Sequence, residues 1–275
     1  MKINRQWMSI LALIGALLLA RSAMAADLML NVGRERTWTT EELLARPDAA
    51  TIEVPGDVSY QRTMTYRAVP LRALLGDERG QPGDEDLQIT GKDGFVAHIP
   101  AALVFNRNAQ GAVPWLAIEP PGKPWPKTPS GMEAGPFYVV WVNPAASSVL
   151  QEQWPFEVAS IRLVQAHALR WPQLVVGNDV PPDSPVRHGQ TLFATQCMVC
   201  HRMNGAGDSL LGPDLNVPHN PTDYFQPWAL KAYIRNPASI RSWPEMKMPG
   251  FEPAAMSDAE LDAVIAYLKY MSKQR

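Results

Sequence analysis

Cys197-Met198-Val199-Cys200-His201 is the stretch whose reading decides the C-terminal part of this chain. It has the form C-x-x-C-H, the pattern by which a c-type haem is attached covalently. Two thiols three residues apart reach the two vinyl groups of one porphyrin. The histidine directly after them is then held under the ring, where its imidazole ligates iron. These are the only 2 cysteines among 275 residues, so no other thiol competes for them. Two other readings of the pair stand beside this one. A redox-active dithiol expects a βαβ surrounding and a helix that begins at the first cysteine, whereas the residues before Cys197 read as a helix that ends there. A zinc site needs four ligands, and a second Cys or His pair at ligand spacing is missing.

Outward from the motif the pattern is helical. Ser184-Pro185 supplies an N-cap followed by proline at the first helical position. The helix runs on through Phe193, with Val186, Gly189 and Phe193 on one face. The small Gly189 would let another helix approach closely. Ser257-Asp258-Ala259-Glu260 is a capping box. It opens a last helix with Leu261, Val264, Ile265 and Leu268 on the buried face, and with Lys269 and Lys273 near its C-terminal end. Trp228–Arg235 gives a third helix that stops before Pro237.

First and last helices around a C-x-x-C-H motif resemble the class I cytochrome c family across residues 186–275, which implies an all-α domain carrying one haem c. The resemblance implies a methionine as sixth iron ligand. Met248-Pro249 matches the family's Met-Pro element and lies 47 residues after His201; Met246 is the runner-up. A thioether opposite imidazole favours ferrous iron and raises the potential. Gly212-Pro213-Asp214-Leu215 resembles the family turn whose proline carbonyl accepts a hydrogen bond from the ligating histidine, which makes Pro213 the support of His201. His188 and His219 are alternative nitrogen ligands. Met203 follows the histidine too closely, and Met256 sits at the start of the last helix.

At the other end, Lys2 and Arg5 precede an apolar run from Met8 to Ala20, and Ala23-Met24-Ala25 has the small-x-small cleavage form. Residues 1–25 therefore read as a cleaved signal peptide. The run is short beside the roughly 20 residues of a membrane span, and no later run is long enough, so the mature chain is expected without one. Arg5 stands next to Gln6, not a second arginine, so the signal is of the general secretory type and the expected location is the periplasm. Residues 26–185 carry 13 basic and 19 acidic side chains, residues 186–275 carry 9 and 8. No basic stripe suggests nucleic acid.

Residues 26–168 show period-two apolar segments at 28–32, 51–54, 65–69, 87–90, 95–99, 115–118, 137–142 and 157–164. Gly91-Lys92-Asp93-Gly94 reads as a hairpin turn. Short helices follow Thr39-Thr40 and start at Pro70. The expected class is α+β, β-rich. Val69-Pro70-Leu71-Arg72-Ala73-Leu74-Leu75, Gly94-Phe95-Val96-Ala97-His98-Ile99-Pro100 and Gly135-Pro136-Phe137 leading to Trp141-Val142-Asn143-Pro144 resemble the sulfite-oxidase-like, molybdopterin-binding oxidoreductase fold. In that family a cysteine thiolate ligates molybdenum, and residues 26–168 contain no cysteine. The twin-arginine signal usual for folded molybdenum proteins is also missing, so the domain is expected without the molybdopterin cofactor. Trp115, Trp141 and Trp154 are expected in the core, His98 as a packed or surface histidine. The Pro-rich run Glu119–Pro136 reads as a docking loop or a stiff connection. Residues 169–185, with Pro172, Pro181 and Pro182, read as a linker.

The function these readings point to is a periplasmic c-type cytochrome whose first domain docks or scaffolds a redox partner: a dehydrogenase, an oxidase or another cytochrome. One alternative is a haem-containing dehydrogenase that oxidises a small substrate such as sulfite at a molybdopterin site. Another is a haem-based sensor or ligand-binding protein. No Ser-His-Asp arrangement, phosphate-cradling glycine loop or paired-carboxylate site stands out.

Overall fold

The computed structural model describes residues 26–76, 84–108 and 110–274. The signal-peptide expectation falls on residues outside these. The β-rich unit consists of β1 (Asp27–Asn31), β2 (Glu35–Thr39), β3 (Ala50–Asp57), β4 (Arg62–Pro70), β5 (Glu85–Gly91), β6 (Val96–Pro100), β7 (Val113–Ile118), β8 (Phe137–Val142) and β9 (Val158–Gln165), with short helices α1 (Thr40–Leu44), α2 (Leu71–Leu75) and α3 (Ala101–Val104) between strands. One sheet has the order β2-β1-β9-β5-β6, the other β3-β4-β7-β8. All pairings are antiparallel except β1 with β9, where Leu30 lies opposite Ile161. The two sheets share one core, in which Leu28, Leu87, Ile89, Leu116, Phe137, Val139 and Trp141 are fully buried. β8 is an almost unbroken apolar run because both its faces are covered.

Local chemistry explains most element ends. Thr39 and Glu42 form a reciprocal capping box that starts α1. Gly91 and Phe95 close the hairpin between β5 and β6, with Gly94 at φ 95°. β2 carries no apolar alternation and was not among the expected strands. It is held by pairing with β1 and by Trp38, over whose ring the Arg36 guanidinium lies at 3.3 Å. Trp125, inside the Pro-rich run, stands edge-on to Tyr66 at 5.0 Å, so that run is an ordered connection packed on the core.

The helical unit has its own core. After α4 (His167–Arg170) come α5 (Pro185–Leu192), α6 (Pro221–Tyr224), α7 (Pro227–Arg235) and α8 (Asp258–Met271). Ser184 caps α5 and Ser257 with Glu260 caps α8. α5 and α8 cross at Gly189, where a Cβ would overlap the Ala263 carbonyl and meet the Tyr267 Cβ at 2.8 Å. Phe193 then packs on Tyr267 with ring centroids 5.2 Å apart. Ile265, expected on the buried face of the last helix, is only half-buried, and Tyr267 takes the deeper place. The Pro-rich stretch 169–185 is tied to this core. Leu174 and Val176 are buried in it, and the Tyr267 hydroxyl donates to the Leu174 carbonyl at 2.8 Å.

Candidate haem-attachment site

Past α5 the chain widens into a single π-turn, Phe193–Cys197, in which Met198 N–H donates to the Phe193 carbonyl at 2.9 Å. Such turns recur at functional sites because they re-aim the side chains that follow. The next turn closes on Cys197, whose carbonyl accepts from Cys200 N–H at 3.1 Å and His201 N–H at 2.9 Å. The two thiols and the imidazole are thus gathered on one turn of backbone. Both cysteines are free and half-buried. Burial, with the Glu152 carboxyl next in effect, pushes each thiol up to about 12. A redox-active dithiol works through a thiolate of depressed pKa; this pair is set the other way.

His201 is fixed by the turn that follows. Its Nδ1 lies 2.9 Å from the Pro213 carbonyl, and since a carbonyl only accepts, Nδ1 carries the proton. Burial holds the ring below the ordinary imidazole range, despite an opposing pull from that hydrogen bond and from Asp214. The neutral ring therefore keeps its lone pair on Nε2. Gly212 lies flat against the imidazole: a Cβ there would come within 2.5 Å of both Cε1 and Nδ1. Asp214 secures the turn by accepting from the backbone N–H groups of Gly205 at 2.7 Å, Asn216 at 2.8 Å, Val217 at 2.9 Å and Asn204 at 3.2 Å. Burial raises its pKa, but these donors outweigh it, and the carboxyl ends below its usual value. Asn216 and Asn220 pass the restraint on, donating to the Met271 and Leu268 carbonyls of α8.

These residues fit a c-type haem. Two protonated thiols stand three residues apart on one turn, and an imidazole is held by its far nitrogen with the near one open. The glycine under the ring is a cradle that a larger residue would fill. Met248 is half-buried and packs on the second core, as does Cys197; Met246 is half-buried and lies outside that core. The loop bearing Met248 is pinned at its end, where Phe251 N–H donates to the Ile234 carbonyl and Arg235 Nη1 donates to the Phe251 carbonyl at 2.7 Å. His188 and His219 are exposed on the surface, and Met203 and Met256 are buried in the core.

The β-rich unit reaches this site. β6 is the edge of its sheet, and Val96 N–H donates across that edge to the carbonyl of Val199, inside the motif, at 3.1 Å. Val199 is buried in the first core and Cys200 packs against it. Glu152 N–H donates to Gln196 Oε1 at 3.1 Å. Sequence reasoning missed Glu152, Gln196 and Asp208, because a contact made across the fold leaves no local pattern.

The helical unit and the turn that holds His201 have the build of a c-type haem domain. Residues 186–272, about a third of the chain, match the family model described as Cytochrome c. The C-terminal part is therefore a cytochrome c domain, which implies covalently bound haem c and electron transfer. No curated protein matches the chain. Among the described residues no helix is long and apolar enough to cross a membrane.

Proposed function

We propose that this chain is an exported cytochrome that passes electrons through one haem c attached at Cys197 and Cys200, with His201 and Met248 on the iron. The β-rich unit serves in this reading as the docking or scaffolding part for a periplasmic dehydrogenase, oxidase or further cytochrome. The observation that carries the proposal is the His201 ring, tied through Nδ1 to Pro213 and packed on Gly212, with Nε2 open. When bound, the haem supplies a one-electron couple. Pro213 and Gly212 fix the plane of the imidazole and its basicity. Met248 offers a soft thioether that favours the reduced state. His201 and Met248 would both be engaged in holding the iron, which favours electron transfer over chemistry on a substrate. The absence of cysteine from residues 26–168 supports a scaffold instead of a molybdenum centre.

Met248→Ala is expected to abolish the sulfur-to-iron charge-transfer absorbance at the red end of the oxidised spectrum and to lower the potential. Met246→Ala is expected to leave both in place; the reverse result would give the ligand role to Met246. A Cys197→Ala, Cys200→Ala double variant that still held haem covalently in denaturant would sink the attachment itself.

A further inference from the structure

Beside the motif lies a polar cluster that haem ligation does not require. Asp208 stands in the loop after His201 and draws donors from three separate elements. Its Oδ2 accepts from His98 Nε2 of β6 at 2.8 Å and from Gln88 Nε2 of β5 at 2.5 Å. Arg170 Nη2, at the end of α4, donates to Oδ1 at 2.9 Å and to Oδ2 at 3.1 Å. His98 is 4% exposed. It stands edge-on to Trp171, over whose ring the Arg170 guanidinium lies at 4.2 Å. The next residue, Ser209, is 1% exposed and donates to the Gly94 carbonyl at 3.0 Å. With the bonds at Gln196 and Val199, the β-rich unit grips the motif segment on both sides of His201.

A part-buried carboxylate persists only when its lost hydration is replaced by donors. Asp208 has that replacement: burial pushes its pKa up, and the hydrogen bonds from His98 and Arg170 more than offset this, holding it below the usual carboxylate value. A carboxylate kept for solubility would stand in water. This one is spent on the seam between the two units.

We propose that Asp208 is a positioning residue, clamping the segment that carries Cys197, Cys200 and His201 onto the β-rich unit so that this unit seals the Cys200 side of the haem site from water. The inference rests on the reading of that motif as haem-attaching. Sealing lowers the local dielectric, which disfavours the more positive ferric state and raises the potential. The negative charge of Asp208 by itself acts oppositely, since it favours the ferric state. The two roles therefore predict different signs.

The test uses the haem-loaded full chain. His98→Ala loosens the clamp by removing its most deeply buried donor and leaves the carboxylate in place. The ferric-to-ferrous ratio at fixed ambient potential is expected to rise about tenfold, equivalent to about 59 mV for a one-electron couple. Trypsin is expected to cut faster after Arg170, which the clamp holds. His98→Gln, whose amide nitrogen falls near the position of Nε2, should restore both readouts. Asp208→Ala loses clamp and charge together and should show a smaller rise in the ratio. The proposal is overturned if His98→Ala leaves the potential unchanged, even with faster cleavage, or if Asp208→Ala raises the potential. Haem content by pyridine haemochrome is read alongside. If the wild-type chain carries no covalent haem, the haem reading fails, and cleavage after Arg170 in the variants still decides whether the clamp exists.

Discussion

At the scale of single residues, two side-chain environments make sharp claims. Gly212 has no room for a methyl group, since a Cβ would stand 2.5 Å from two atoms of the His201 ring. Gly212→Ala must tilt the imidazole or shift the turn, and either motion lengthens the bond to Pro213. The expected outcome is a loss of about 1–3 kcal/mol, typical of overpacking. It is measured by urea unfolding and accompanied by a changed oxidised absorbance spectrum. Glu152 makes the second claim. Burial pushes its carboxyl from 4.5 up to about 7, and only a long bond from Gln151 opposes this. Between those values the folded chain keeps a proton that the unfolded chain has lost. Stability therefore falls as pH rises through this window and levels off above it. Glu152→Gln has no such proton to lose, so its advantage over the wild type should grow by about 3 kcal/mol between pH 4.5 and pH 8. Urea midpoints at the two pH values check this, and an advantage constant with pH would contradict it.

At the scale of elements, the crossing of α5 and α8 depends on Gly189. A methyl there meets the Ala263 carbonyl, which is backbone and cannot turn aside. Gly189→Ala should part the helices and cost about 2–3 kcal/mol in spite of its better helix propensity; a neutral or stabilising result in denaturant unfolding would mean the crossing is looser than it is built. This contact was legible because a glycine on an apolar face at helical spacing has few other uses. The hairpin at Gly91–Gly94 and the run of β8 were legible for similar local reasons. β2 was not, since its burial comes from an arginine laid over Trp38 and not from alternating apolar residues. Spacing alone also could not tell how wide the buried face of α8 is. It placed Ile265 inward, whereas Phe193 and the Leu174 carbonyl draw Tyr267 in. In the candidate site, Cys197, Cys200 and His201 stand out by spacing, and Pro213 and Met248 by resemblance. Asp208 does not stand out at all, because His98 lies 110 residues from it in sequence.

At the scale of the whole molecule, the question is whether two cores unfold as one. Edge strand β6 offers unpaired backbone groups, a liability that folded proteins cover, and here the cover is the motif segment of the other unit. The 167–185 stretch, from α4 onward, adds its own anchors. His167 bonds through both backbone N–H and Nδ1 to Asp86 at 2.8 Å, and Leu174 and Val176 enter the second core. Asp86 and Asp208, one at each end of this arrangement, are pushed up by burial, yet their histidine partners, joined at Asp208 by Arg170, hold both below the ordinary value of 3.8. A carboxyl with a depressed folded pKa contributes stability that is complete above its unfolded value and is lost as pH falls through the folded one. The coupling between units should therefore be intact at neutral pH and fail only in acid, below pH 3.8. At pH 7, near-ultraviolet dichroism from the buried tryptophans of the β-rich unit and Soret absorbance from the haem domain should melt together, as one cooperative transition requires. Far enough below pH 3.8 that both carboxyls are protonated the two curves should separate, and in Asp208→Ala they should separate already at pH 7. Coincident melts in that variant at both pH values would place the coupling in the apolar contact of Val199 and Cys200 with the first core instead of in the charged cluster.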